Sequence, residues 1–231
     1  MQPCFLVVYG TYTTVFVALY CGDTQLALTQ ETHKLASKNF TLMVDHVFAA
    51  SKKTWKDLSF LAANRGPGPF TTLRTVLALV NGLAYATQLP LIGVDNLNVF
   101  VREYAQPAND YTCALLNAFC DDVYYAQYEQ ATDTTVNGCM NIAQWIEQWQ
   151  AVLQKNPSIQ YSLIGNGVLL HYPLLQHAFN NTLPEKECIA ENASVNAIAL
   201  TALQHWQNNE QVSNEIMPLY LKEYSAKLHN K

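Results

Sequence analysis

Along this chain the period of the apolar residues changes in an order that few folds can accept. Phe5 to Val8 is a short continuous apolar run, the mark of a strand covered on both faces. Thr14 to Tyr20 is a second β-rich run ending at the turn Cys21-Gly22-Asp23, and Leu26 and Leu28 alternate with polar residues through a third. Three strands joined this tightly form an antiparallel meander. The period then becomes helical. Phe40, Met43, Val44, Val47 and Phe48 recur at i, i+3, i+4, i+7 and i+8, an amphipathic helix. Phe60 to Ala63 is another buried strand. Gly66-Pro67-Gly68-Pro69 is a rigid turn that feeds a helix from Phe70 to about Ala86, with the stripe Leu73, Val76, Leu77, Val80, Leu83 and Ala84. Leu91 to Val94 is a fifth strand, and Asp95 suits the N-cap of the short helix after it.

A similar order returns after the linker-like stretch Gln106-Pro107-Ala108-Asn109-Asp110. Cys113 to Ala118 and Val123 to Glu129 form a hairpin through Cys120-Asp121-Asp122, followed by a polar loop. Asn141 caps a helix bearing Ile142, Trp145, Ile146, Trp149 and Leu153, and a strand at Ser158 to Ile164 runs into Gly165-Asn166-Gly167. Ser194 caps a last long helix with Val195, Ile198, Ala199, Ala202, Leu203 and Trp206. The reading is two lobes, residues 1–105 and 106–231, with the last helix free to return to the first lobe. A duplicated unit of strand meander plus helices is an α/β fold of the actin-like (ASKHA, RNase H-like) type, with mixed sheets flanked by helices. At 231 residues the chain is long enough for two lobes with real cores.

Charge and cysteine usage narrow the function. The net charge is -5, from 13 Lys+Arg against 18 Asp+Glu, with no basic stripe, so tight direct binding of nucleic acid is not expected. Met1-Gln2-Pro3-Cys4 has no basic n-region and the apolar run after it breaks at Tyr9-Gly10, which argues against a signal peptide. No run approaches the ~20 apolar residues of a membrane span. Cys4, Cys21, Cys113, Cys120, Cys139 and Cys188 include no C-x-x-C pair, so free thiols in a reducing cytoplasm are expected. His33, His46, His171, His177, His205 and His229 include no i, i+4 pair, and no metal site is expected. There is no G-x-S-x-G elbow and no Cys–His arrangement for a peptidase. Tyr124, Tyr125 and Tyr128 are expected to pack across strands, and Trp145 and Trp149 to form a core stripe.

The densest motif is Ala63-Asn64-Arg65-Gly66-Pro67-Gly68-Pro69-Phe70-Thr71-Thr72-Leu73-Arg74. Glycines at a strand-to-helix turn let backbone N–H groups approach something closely, and Gly68 is expected at positive φ. It is not a Walker loop, because no Gly-Lys-Ser/Thr follows. Gly66, Pro67, Gly68, Phe70, Thr71 and Arg74 resemble the Gly-Pro-Gly-Ser-Phe-Thr-Gly-Leu-Arg signature of the TsaB (YeaZ) family. The likeness extends through Lys56-Asp57-Leu58, Gly82-Leu83-Ala84 and Leu89-Pro90-Leu91-Ile92-Gly93-Val94-Asp95-Asn96-Leu97. It is sparser at Val123-Tyr124-Tyr125-Ala126 and at Pro218-Leu219-Tyr220-Leu221-Lys222, similar to a terminal Pro-x-Tyr-Leu-Arg. The resemblance implies an actin-like, non-catalytic subunit in synthesis of N6-threonylcarbamoyladenosine on tRNA. It implies TsaD as catalytic partner, the small ATPase TsaE docking on the complex, and contact with tRNA only through the complex, while a homodimer of the free chain is expected from the apolar second stripe of the Phe70 helix. No tightly bound cofactor is expected, and a nucleotide at a partner interface is left open. TsaD carries a paired-His metal motif that this chain lacks.

Departures from the family pattern fall where actin-like enzymes keep carboxylates. Tyr9 stands where the family's first strand ends in Asp, and Asn117 where the second lobe has an Asp. The usual His-Ser-Glu before the first long helix is Ala36-Ser37-Lys38, and the signature's Ser and middle Gly are Pro69 and Thr72. An actin-like phosphotransferase or ATPase acting on a nucleotide or sugar is the alternative, which these losses disfavour. A second stripe of Thr75, Leu79, Gly82 and Ala86 lies beside the core stripe of the Phe70 helix, and Leu42 and Ala49 lie off that of the Phe40 helix. A helix apolar on more than one face is covered on more than one face. Either the two helices only pack on each other, or this face meets a partner.

Overall fold

A computed structural model describes residues 2–180, 183 and 189–222, and they fold around two sheets. In the first, β1 (Cys4–Gly10), β2 (Thr14–Cys21) and β3 (Thr24–Thr32) form the antiparallel meander, and β4 (Leu58–Gly66) and β5 (Leu91–Asp95) add in parallel on the other side of β1. Helices α1 (His33–Ser51) and α2 (Phe70–Thr87) cover one face, joining Leu6, Val8 and Leu61 in one core. The other face packs against α3 (Asn96–Glu103) and α7 (Val195–Gln207). Covered on both sides, every residue of β1 is buried, as its continuous apolar run predicts.

The second sheet repeats the plan. β6 (Tyr111–Asn117), β7 (Asp122–Glu129) and β8 (Thr134–Asn141) form a meander, and β9 (Tyr161–Ile164) adds in parallel to β6. Outside it α4 (Ile142–Lys155) contributes Trp145 and Trp149, each 1% exposed, to a separate core. The inner face shares one core with the first sheet, because α3 packs on β6 and β7 and also on α7, which covers the first sheet, so that Ala114, Leu116 and Tyr128 belong to one buried cluster with Phe5 and Ile92. The two lobes therefore share a hydrophobic layer. The chain also crosses back at its end, where β10 (Val212–Ser213) pairs with β5.

Three predicted helix starts rest on side-chain caps. The Asp95 carboxylate accepts from Leu97 and Asn98 N–H, Asn141 Oδ1 from Ala143 N–H, and Ser194 Oγ from Ala197 N–H. Several expectations need correction. The polar loop after β7 holds β8, an edge strand that satisfies its backbone only against β7 and so shows weak apolar alternation. The strand expected from Ser158 starts at Tyr161, because Asn156 and Ser158 are held in a turn by Ser158 Oγ and Asn156 Oδ1. Two short helices, α5 (Asn166–Leu170) and α6 (Tyr172–Ala178), follow β9 unannounced. Ala36-Ser37-Lys38 lies inside α1, not before it. Cys4 and Cys21 are paired across β1 and β2 as a disulfide, because the meander register sets them opposite each other with Cα atoms 4.0 Å apart. Free thiols hold for Cys113, Cys120 and Cys139, while Cys188 lies outside the described residues.

Candidate functional site

The signature turn sits where β4 leaves the sheet. Asn64, buried at that end, ties β4 to β1: its Oδ1 accepts from Gly10 N–H and its Nδ2 donates to Gly10 C=O, each at 3.1 Å. The positive φ belongs to Gly66, at 110°, and the Gly66–Pro67 peptide is cis. A Cβ on Gly66 would stand 2.9 Å from Leu73 Cδ2 and 3.1 Å from Leu219 O. Gly68 has an ordinary φ and open space around it, which corrects the expectation placed on that residue. The reversal is made two residues earlier, where Leu73 and the C-terminal segment crowd the backbone. Pro67 is buried and Thr71 exposed, while Thr72, at the family's glycine position, is buried.

On the solvent side of the turn, the Arg74 guanidinium carbon lies 3.8 Å from the centre of the Phe70 ring, and Arg74 Nε donates to the Tyr220 hydroxyl at 2.9 Å. Together with Lys222 these three line a cavity of about 530 Å³. Tyr220 belongs to a segment strapped over the first lobe. Ile216 N–H donates to Asn81 Oδ1 and Ile216 C=O accepts from Asn81 Nδ2, while Leu219 N–H donates to Arg65 C=O at 2.7 Å. The strap reaches the second lobe, where Lys222 Nζ donates to the carbonyls of Ala118 and Phe119 and pairs with the Asp122 carboxylate at 2.8 Å. Burial works against the Lys222 ammonium, but its bond to Asp122 outweighs that and holds its pKa up. The sequence offered only the terminal signature as a sign of this strap.

The two strand ends that replace acids are committed to structure. Tyr9 is 1% exposed, its hydroxyl donates to Asn96 Oδ1, and burial drives its pKa far up. Asn117 C=O accepts from the Tyr12 hydroxyl, Asn117 N–H donates to Asn166 Oδ1, and Asn117 Oδ1 accepts from Phe119 N–H. Tyr12 thereby bonds the first lobe to the second. Among the described residues no group of three or more His, Cys, Asp or Glu side chains is arranged to hold a metal ion.

The second stripe opens outward. α1 and α2 lie side by side on the first sheet. On their outer side Leu42 is 68% exposed, and Ala49, Gly82 and Ala86 are also exposed; Thr75 and Leu79 are half-buried, Leu79 against the core. The helices do not cover this face with each other. Two residues absent from the predicted set extend it: Tyr85, 83% exposed, and Leu35, 48% exposed. Each sits at a helical spacing from a predicted member, Gly82 and Leu42, and that spacing was the available signal.

Compared with known proteins, residues 28–229 match the family described as TsaD, tRNA N6-adenosine threonylcarbamoyltransferase. The tRNA threonylcarbamoyladenosine biosynthesis protein TsaB of Escherichia coli is 32% identical over 89 residues, 38% of each chain. The protein of the same name from Buchnera aphidicola of Schizaphis graminum is 25% identical over 113 residues, 48% of this chain and 54% of its own. The chain thus spans about half or less of the length of these curated relatives. The solved structure of YeaZ from Pseudomonas aeruginosa superposes over 95% of this chain and all of its own, with a TM-score of 0.68 at 18% identity. That likeness establishes the actin-like α/β fold.

Proposed function

The chain belongs to the family of the tRNA N6-adenosine threonylcarbamoyltransferase TsaD, and from that premise we propose that it is a TsaB-like, non-catalytic subunit. It assists a TsaD in making N6-threonylcarbamoyladenosine on tRNA, and meets tRNA only through that complex. The observation that carries this is the open α1–α2 face, with Leu42 and Tyr85 at 68% and 83% exposure beside Gly82 and Ala86. Contiguous exposed apolar surface on a folded protein marks an interaction site. TsaD binds there as a heterodimer, and a second copy of this chain takes the place in its absence, in a two-fold arrangement. TsaE docks on the assembled pair, in the cytoplasm.

The non-catalytic reading rests on the strand ends. Phosphoryl chemistry in this architecture needs carboxylates to hold a metal ion. Tyr9 and Asn117 offer none, and both are tied into hydrogen bonds within the fold. Tyr12 and Lys222 engage the second of these strand ends by bonding to Asn117, Ala118 and Phe119. No tightly bound cofactor is expected, and any nucleotide would sit at the contact with TsaD. The test is co-expression with the TsaD of the same organism, followed by size-exclusion chromatography and an ATPase assay of the isolated chain. A one-to-one complex and no magnesium-dependent turnover is the expected result. Turnover by the isolated chain would instead support an actin-like ATPase or phosphotransferase.

A further inference from the structure

We infer that Arg74 is the electrostatic anchor of the α1–α2 face and receives a carboxylate of the protein that docks there. This rests on the docking role proposed above and adds the chemistry of the contact. Helix α2 carries one charged side chain along its whole length, and it is Arg74. Thr71, Arg74, Ala78, Gly82 and Tyr85 are all exposed and follow one another at steps of three or four residues, so they form one outer ridge. Its amino-terminal end bears a cation and its carboxyl-terminal end an exposed tyrosine. Such a ridge is complementary to an apolar partner face carrying one negative charge.

The guanidinium is already positioned. It lies over the Phe70 ring and its Nε is taken by the Tyr220 hydroxyl, while Tyr220 follows a segment fixed to Asn81 and Arg65. With Nε engaged, the two terminal nitrogens remain as a fork of parallel donors, the geometry a carboxylate accepts in bidentate fashion. Holding the side chain in advance lowers the ordering cost of binding. Among the described residues the ion pairs are Arg102–Asp133 and Lys222–Asp122, and Arg74 is in neither. Lys222, the other cation at the cavity, is already neutralised by Asp122. With no carboxylate partner among the described residues, this single positive charge suits a single carboxylate better than a phosphoryl group.

The experiment measures the dissociation constant of the full-length chain and TsaD at low and high salt for wild type, R74K and R74M. R74M also gives up the bond to Tyr220 and the stacking on Phe70, so affinity is compared at a temperature where the melting curves show every variant fully folded. R74M should weaken binding about tenfold or more and flatten the salt dependence. R74K should fall between the two, since a point charge replaces the fork. If wild type binds and R74M binds equally with the same salt slope, the anchor is wrong while the docking role stands. If wild type forms no complex, the docking role itself fails and the anchor with it. Titration with inorganic phosphate and with ATP separates the other occupants. Saturable binding that R74M abolishes would overturn the carboxylate in favour of a phosphoryl ligand. An R74M effect confined to self-association would assign the cation to the homodimer and overturn it equally.

Discussion

The two lobes make the same strand-to-helix junction in two different environments. Gly66 ends β4 and Gly165 follows β9, and both stand at φ 110°. At Gly66 a Cβ would meet first a leucine side chain, Leu73 Cδ2 at 2.9 Å. At Gly165 it would meet the backbone: Leu115 O at 2.1 Å, with a Cβ on Gly167 only 2.7 Å from the same atom. The second lobe packs its junction directly on the carbonyls of β6, whereas the first lobe keeps side chains and the C-terminal strap between. The same φ therefore carries unequal sensitivity to substitution, since a side chain can rotate away and a carbonyl within a sheet cannot.

That contrast can be broken by a short series of variants measured by urea or thermal unfolding. Gly165→Ala should cost the most, about 3 kcal/mol or more, from positive-φ strain added to an unrelievable clash. Gly66→Ala should cost about 1–3 kcal/mol, the backbone strain with Leu73 shifting aside. Equal losses at the two positions would show that the junctions are equivalent after all. Lys222→Met should cost about 1–2 kcal/mol by leaving Asp122 and the Ala118 and Phe119 carbonyls without their cation. Faster hydrogen exchange in the β6–β7 hairpin should accompany it, and unchanged exchange would mean the strap does not steady the second lobe. Gly68→Val should be silent within about 0.5 kcal/mol, because its φ is ordinary and the residue before a proline favours the extended region that valine prefers. A clear loss there would move the strained position back to Gly68.

Much of this was legible in the sequence for local reasons. Asp95, Asn141 and Ser194 announce helix starts because a cap bonds to N–H groups two or three residues ahead. The meander and α2 follow from runs whose period belongs to the chain itself. The signature turn showed two glycines without saying which bears the positive φ, since that depends on Leu73 and on Leu219 returning from the far end. β8 depends on pairing with β7, and the Cys4–Cys21 pair on register, so neither is local. For the candidate site, Leu42, Ala49, Gly82 and Ala86 were readable as apolar or small residues off the core stripe. The bracing of Arg74 by Tyr220 and the reach of Lys222 to Asp122 join distant stretches, and no spacing rule exposes them.

The docking face is tested most directly by Gly82→Glu. A Cβ at Gly82 meets nothing within 4 Å, so the variant should fold and melt as the wild type does. Placed on the outer side of α2 one turn before Tyr85, the new carboxylate would be buried unpaired in any complex that closes over α1 and α2, a cost of several kcal/mol. The account predicts a folded monomer that no longer binds TsaD by analytical ultracentrifugation. A variant that binds TsaD with wild-type affinity would contradict it, and would place the partner elsewhere on the molecule.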